Sequence, residues 1–251
     1  RDLHLSLRRQ RQMCIRDSVL SEHIRLDVAI VGGGPSGLVC AHYLGLGGLR
    51  TALFEKKLAP GGGLWGGGFG FPVMVLPQDI GDMLWELGIA YKREGEFLLA
   101  DTVAAGGSLI QKAAQHARIF NGFCCEDLII RNGAVRGVVF CASSSVAAGL
   151  HIDPISFEAK IVVDATGHDA VLAHLASKHL KKDFVCGQGP MNATEGENFV
   201  VERTARLVEG LYLCGMSVNA VYGGARMGPI FGGMLKSGRK CAELILEELG
   251  K

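Results

Sequence analysis

Neither sign of charge dominates this sequence. Its 26 Lys and Arg stand against 25 Asp and Glu, a formal net charge of +1. That balance lacks the basic excess on which a nucleic acid or an anionic membrane would draw, so neither partner is expected. No apolar run is long enough to span a bilayer as a helix, so no membrane partner is implied. No two of the eight cysteines (14, 40, 124, 125, 141, 186, 214, 241) form a C-x-x-C pair, which removes the usual spacing of a redox or metal motif. Several sit inside apolar runs and read as buried reduced thiols, pointing to a reducing cytoplasm. A second unit of strand, G-x-G-x-x-G and helix is also missing, and with it the separate NADH site that many flavoenzymes carry. Glycine, by contrast, is abundant. It fills 36 of 251 positions, roughly twice the usual ~7%, with much of the excess in turns of the nucleotide-binding kind.

The stretch from Asp27 to Trp65 organises the rest. An apolar run at 28–31, bounded by Asp27 and glycine, reads as a buried parallel strand. Gly32, Gly34 and Gly37 follow at G-x-G-x-x-G spacing. The first allows a tight turn, the second lets backbone approach a pyrophosphate, and the third lets a helix pack on the strand. Ser36 lies in the first turn of that helix, whose N-terminal amides and dipole face the pyrophosphate. A second strand at 51–54 ends at Glu55, placed to accept hydrogen bonds from both ribose hydroxyls, with Lys56 next to it. Residues 59–70, A-P-G-G-G-L-W-G-G-G-F-G, combine Gly62 and Gly63 with Trp and Phe. A flexible linker favours serine over such residues, so a ligand-facing loop is expected here.

Apolar residues at 80, 83, 84 and 87 predict an amphipathic helix over 78–88, stopped by Gly88. Asp101 or Thr102 can cap a helix running to about Ala117. Strands at 122–130 and 134–141 meet around Asn132-Gly133, a hairpin signal. A mobile serine-rich loop at 142–150 leads to His151-Ile152-Asp153-Pro154. A buried strand at 157–164 runs into A-T-G-H-D (165–169), then a helix to Leu180 and an irregular segment at 183–199. The last core strand, 211–214, ends at Gly215-Met216. Residues 217–226 read as loop, and Met227-Gly228-Pro229 opens a closing helix through Glu248. The expected architecture is α/β, a doubly wound Rossmann-like FAD/NAD-binding fold with an inserted β-hairpin, in one domain over 19–251. Residues 1–18 are basic and aperiodic, and read as a disordered extension or sequence foreign to the gene.

Together, E-K-K-L-A-P-G-G-G-L-W, C-E-D-L-I-I, H-I-D-P, A-T-G-H-D, G-L-Y-L-C-G-M and A-R-M-G-P resemble the thiamine thiazole synthase family from about residue 21 onward. The resemblance implies the fold of FAD-dependent oxidoreductases with NAD as a substrate that is consumed. Its ADP-ribose part is joined to glycine and sulfur, giving an adenylated thiazole carboxylate for thiamine biosynthesis. It implies Fe(II) bound by Asp153 and His168, with His151 a further candidate ligand. It also implies an octamer in which the metal loop reaches a neighbouring subunit's pocket. Imidazole and carboxylate donors suit Fe(II) with open positions. Arg226 is the natural clamp for glycine's carboxylate, since a guanidinium offers two parallel donors. Met216, Met227 and Gly228 fall in motifs that border the nucleotide.

His151 bears on the sulfur. Eukaryotic members carry a cysteine at the matching position and sacrifice its sulfur once, whereas archaeal and some bacterial members carry histidine and use free sulfide. Imidazole has no sulfur to give, and Cys124, Cys125, Cys141 and Cys186 lie elsewhere in the pattern. A sulfide-dependent, multiple-turnover transferase is therefore expected. Three other readings stand beside it. A redox flavoenzyme usually ends its late strand in Gly-Asp, where this chain has Met216. A ribose-1,5-bisphosphate isomerase would need clustered Arg or Lys beyond Lys56-Lys57. A non-catalytic nucleotide-binding module would hold NAD intact.

Overall fold

The computed structural model describes residues 18–251, and the expectation for residues 1–18 falls almost entirely outside them. The chain runs through β1 (Arg25–Val31), α1 (Pro35–Leu46), β2 (Thr51–Glu55), β3 (Val73–Pro77), α2 (Gly81–Glu86), β4 (Lys92–Glu94) and β5 (Phe97–Asp101). Then follow α3 (Thr102–His116), β6 (Arg118–Asn121), β7 (Phe123–Arg131), β8 (Ala134–Ala142), α4 (Ser143–Ala147) and β9 (Ile155–Asp164). The rest comprises α5 (Val171–Leu180), α6 (Ala193–Arg203), β10 (Arg206–Val208), β11 (Leu211–Leu213), α7 (Met216–Tyr222) and α8 (Gly232–Glu248). Among the described residues no helix is long and apolar enough to cross a membrane.

The main sheet has the order β10-β11-β9-β1-β2-β6, with parallel pairing from β11 through β6. Its central strands carry unbroken apolar stretches, 28–31 of β1, 52–54 of β2 and 161–163 of β9, because both faces are covered there. Val28 and Ile30 of β1 pack on one side with Leu38 and Leu44 of α1, Leu109 of α3 and Ile245 of α8. Ala29 and Val31 face the other side, against Val138 and Phe140 of β8 and Leu172 of α5. Phe54, Phe120, Phe123, Phe140 and Phe157 meet there, the Phe54 and Phe140 rings stacking at 4.3 Å. Such ring pairs add about 0.5–1.5 kcal/mol each beyond their buried area.

The hairpin of β7 and β8 turns at Asn132 (φ 53°) and Gly133 (φ 78°), the two positive φ values of a type I′ turn. β9 joins the two layers. Its first residues pair antiparallel with β8, and its later ones pair parallel with β1 from Arg25↔Glu158 to Val31↔Asp164. The doubly wound fold with an inserted hairpin is thus present, the hairpin covering the face opposite α1.

Four local expectations differ from the structure. Residues 143–147 are a short helix. Within 183–199, a helix starts at Ala193 because the Asn192 side chain accepts from the Glu195 amide at 3.3 Å while donating to the Glu195 carboxylate at 2.9 Å. Residues 216–222 are helical, entered through Gly215 at φ 67°. The closing helix begins at Gly232, after the turn that Met227-Gly228-Pro229 makes. A second sheet, β3-β5-β4, adds Met74, Leu76 and Leu98 to the core beneath α3.

Candidate active site

The turn after β1 shows what each motif glycine does. Gly32 sits at φ +108°, and a Cβ there would lie 2.2 Å from the Ala165 carbonyl oxygen, so any side chain would push β1 and β9 apart. A Cβ on Gly37 would meet the Gly32 carbonyl at 2.1 Å, which makes this glycine the contact between helix and turn. Gly34 is different. A Cβ there would meet nothing within 4 Å and would project into open space at the α1 N-terminus.

That space is a cleft of about 650 Å³, lined by Gly32, Gly34, Ser36, Glu55, Lys56, Gly62, Gly63, His168, Met216, Met227 and Gly228 among others. Glu55 is buried. Its Oε2 accepts from the Gly33 amide at 2.7 Å and its Oε1 from the Lys57 amide at 2.8 Å. Each carboxylate oxygen keeps a lone pair for a ribose hydroxyl. The glycine-rich loop folds onto the turn through a Gly61 amide to Gly33 carbonyl bond of 2.6 Å. A Cβ on Gly62 would stand 2.9 Å from the Gly34 Cα, so bare backbone is needed where this loop crosses the turn. The apolar residues of that loop anchor it: Leu64 is fully buried, and Trp65 Nε1 donates to the Pro60 carbonyl at 2.9 Å. Helix amides, fixed acceptors and backbone-only walls fit a dinucleotide. Lys56 Nζ pairs with Asp169 Oδ2 at 3.5 Å across the rim. Phe123, Cys124 and Cys125 form the wall past Glu55. Burial pushes the Cys125 thiol up to about 12, with Asp164 adding to the effect.

The loop after β9 is held by Asp164, which sequence reasoning passed over. This carboxylate is fully buried. Oδ1 accepts from the Thr166 amide at 3.0 Å, the Thr166 hydroxyl at 2.7 Å and the Ser217 hydroxyl at 2.9 Å, and Oδ2 from the Ala173 amide at 3.0 Å. Ser217 in turn accepts from the Gly167 amide at 3.1 Å. Four donors hold a buried charge without a cationic partner. The signal was present in the sequence, an acid closing the apolar run at 161–163.

This network presents His168 to solvent, where its Nδ1 lies 2.9 Å from Gln188 Oε1 and 2.6 Å from Gln188 Nε2. His168 also lines a second cleft with His174, Cys186, Gln188 and Arg226. Arg226 therefore borders this second cleft and not the dinucleotide one. Its backbone is pinned between residues 190 and 192, its amide donating to the Pro190 carbonyl at 3.1 Å and its carbonyl accepting from the Asn192 amide at 3.1 Å. Asn219 supports the approach, donating to the Ala225 carbonyl at 2.7 Å.

His151 and Asp153 lie in the exposed 151–154 segment between α4 and β9 and line neither cleft. Among the described residues, no three His, Cys, Asp or Glu side chains gather closely enough to hold a metal ion. The donors expected for Fe(II) are of the right chemical type, but one chain does not assemble them.

Comparison with known proteins agrees with this geometry. The sequence model of the Thi4 family matches residues 11–231. A Thermococcus kodakarensis protein named thiamine thiazole synthase is 46% identical over 235 residues, covering 92% of this chain and 93% of its own length. A Thermotoga maritima protein of the same name is 43% identical, with 92% of each chain covered. The crystal structure of Thermovibrio ammonificans THI4 superposes with a TM-score of 0.94 at 38% identity, covering 98% of both chains. Matches of this extent establish that the chain belongs to the Thi4 family.

Proposed function

We propose that this chain is a thiamine thiazole synthase, which makes an adenylated thiazole carboxylate from NAD, glycine and sulfide in multiple turnovers. The observation that carries the reading is the place of His168, which borders both the dinucleotide cleft and the cleft holding Arg226. Joining ADP-ribose to glycine requires the two substrates to meet, and this loop stands where they would. The names of relatives at 43–46% identity support the same activity.

In this proposal, the Gly33 and Gly34 turn and the α1 N-terminus hold the pyrophosphate, while Glu55 accepts from the ribose hydroxyls. Arg226, exposed in the second cleft, clamps the glycine carboxylate with two donors. His168 Nδ1 is engaged by Gln188, and Nε2 makes no hydrogen bond among the described residues, so Nε2 is the nitrogen free to bind or move a proton. We assign the Fe(II) ligands to two copies of the chain in a homo-oligomer, His168 from one and Asp153 from the other, with His151 beside it. Bound Fe(II) would supply open coordination positions for sulfur and substrate. His151 carries no sulfur, so sulfide must come from solution in the reducing compartment.

Mass spectrometry of the small molecule released from purified protein tests the reading. The expected ligand is an adenylated thiazole, an ADP-ribose–glycine adduct or NAD. Finding FAD or a sugar bisphosphate would overturn it. If NAD stays intact after glycine, sulfide and Fe(II) are added without oxygen, the chain is a binding module only.

A further inference from the structure

The β7–β8 hairpin sets Cys124 directly opposite Cys141. Opposed residues of an antiparallel pair share a face, with Cα atoms about 4.5–5.5 Å apart. A disulfide spans about 4.4–6.8 Å between Cα atoms, so the pair can be bridged with little backbone movement. Both thiols are free. Cys124 is half-buried and lines the dinucleotide cleft, which gives a small oxidant access to it. Cys141 is buried behind it, and its Sγ lies 3.6 Å from the Ile152 carbonyl, donating to the segment that carries His151 and Asp153.

The other described thiols are placed differently. Cys40, Cys214 and Cys241 hydrogen-bond one another, but they are fully buried in the core, out of an oxidant's reach. Cys125 packs toward the phenylalanine cluster and donates to the Asp127 carbonyl at 3.6 Å. Cys186 is exposed and has no thiol across a strand from it.

We propose that Cys124 and Cys141 form a peroxide-oxidisable dithiol whose closure to a disulfide releases the 151–154 segment and alters the dinucleotide cleft wall. The Cys124 sulfur attacks hydrogen peroxide. An S–O bond forms, the O–O bond breaks, and the leaving hydroxide takes the thiol proton to become water. The Cys141 sulfur then attacks the Cys124 sulfenic acid. The S–S bond forms, and the second hydroxide leaves as water with the Cys141 proton. Two thiols and one peroxide thus give one disulfide and two waters. The S–H that held the Ile152 carbonyl is consumed in the process. Burial, reinforced by Glu126, holds both thiols above the ordinary thiol range, so oxidation should be slow near neutral pH and quicken as pH rises.

This inference is independent of the reaction proposed above. The test uses the full chain with a chelator present, treated with hydrogen peroxide at one equivalent per chain. Two of the eight thiols should disappear. The intact mass should fall by two hydrogen atoms, and peptide fragmentation without reductant should link Cys124 to Cys141. Dithiothreitol should reverse all three changes. The link should persist in Cys125→Ser and vanish in Cys124→Ser. Backbone amides of 150–153 should exchange roughly threefold faster after oxidation, as expected for losing one weak S–H donor. A link between other cysteines, or oxygen addition with no link, would overturn the pair. A correct link that leaves amide exchange unchanged would overturn its coupling to the segment.

Discussion

Of the three motif glycines, only Gly34 would turn a Cβ into the open cleft. A Cβ there meets nothing, whereas one on Gly37 runs into the Gly32 carbonyl at 2.1 Å. Gly34→Val should therefore fold with a melting temperature close to that of the parent and still lose nucleotide by more than about tenfold, read by calorimetric titration. Gly37→Ala should do the opposite, destabilising by about 1–3 kcal/mol in urea unfolding through overpacking. If Gly34→Val co-purifies with a normal complement of nucleotide, the pyrophosphate is placed wrongly. Arg226 makes a second contrast. Its side chain is exposed and its backbone is pinned independently, so Arg226→Ala should raise the KM for glycine at least about tenfold while leaving NAD affinity alone. Equal loss of both substrates would mean that the loop itself had moved. At this scale the sequence was legible where spacing carries the chemistry. Gly32, Gly34 and Glu55 could be brought to one cleft that way, and Gly37 to the contact between helix and turn. Asp164 could not be given its role, because its four donors come from residues 166, 173 and 217, and only the folded loop brings these together.

Among the elements, the strands buried on both faces announce themselves as unbroken apolar runs, and Asn132-Gly133 as a turn that two positive φ values require. Helix α7 gives no such signal. Met216 through Val221 are all buried, so its sequence has no polar face to set a 3.6-residue period against. The sheet of β3, β4 and β5 is hidden differently, since β4 is K-R-E and wholly exposed. The alternation in β3, with Val73 and Val75 out and Met74 and Leu76 in, was readable as a strand. Helix α6 had its N-cap in plain view at Asn192, with Glu195 three residues on. Because that cap also ends the segment pinning Arg226, Asn192→Ala should cost about 1 kcal/mol of stability in chemical unfolding. Asn192→Ser should restore most of it, as it keeps an acceptor for the Glu195 amide without setting a second carboxylate beside Glu195. No change in Asn192→Ala would show that α6 is held by its packing on α8 alone.

For the molecule as a whole, the apolar patterning sufficed to give the architecture, because one parallel sheet with both faces covered leaves few arrangements. The site is harder to read at this scale, since sequence spacing cannot say that the 151–154 segment and His168 stay apart within a chain. With NAD, glycine, Fe(II) and sulfide supplied without oxygen, product should exceed one per chain. Asp153→Ala and His168→Ala should each abolish it. Mixed and reassembled, the two inactive variants should regain part of the activity, because some interfaces would then carry both native residues. A yield capped at one, with the protein lighter by a cysteine sulfur, would instead make one of the eight cysteines the donor.

The distance between that segment and the clefts also has a consequence in mass action. The cradle of Gly34, Ser36 and Glu55 is complete in one chain, so the fraction of nucleotide bound should depend on nucleotide concentration alone. A reaction centre shared between copies is instead governed by the dissociation constant of the assembly. Diluted below that constant, the protein should lose specific activity steeply while its nucleotide isotherm stays where it was. Gradual re-concentration should bring turnover back along the curve of subunit association.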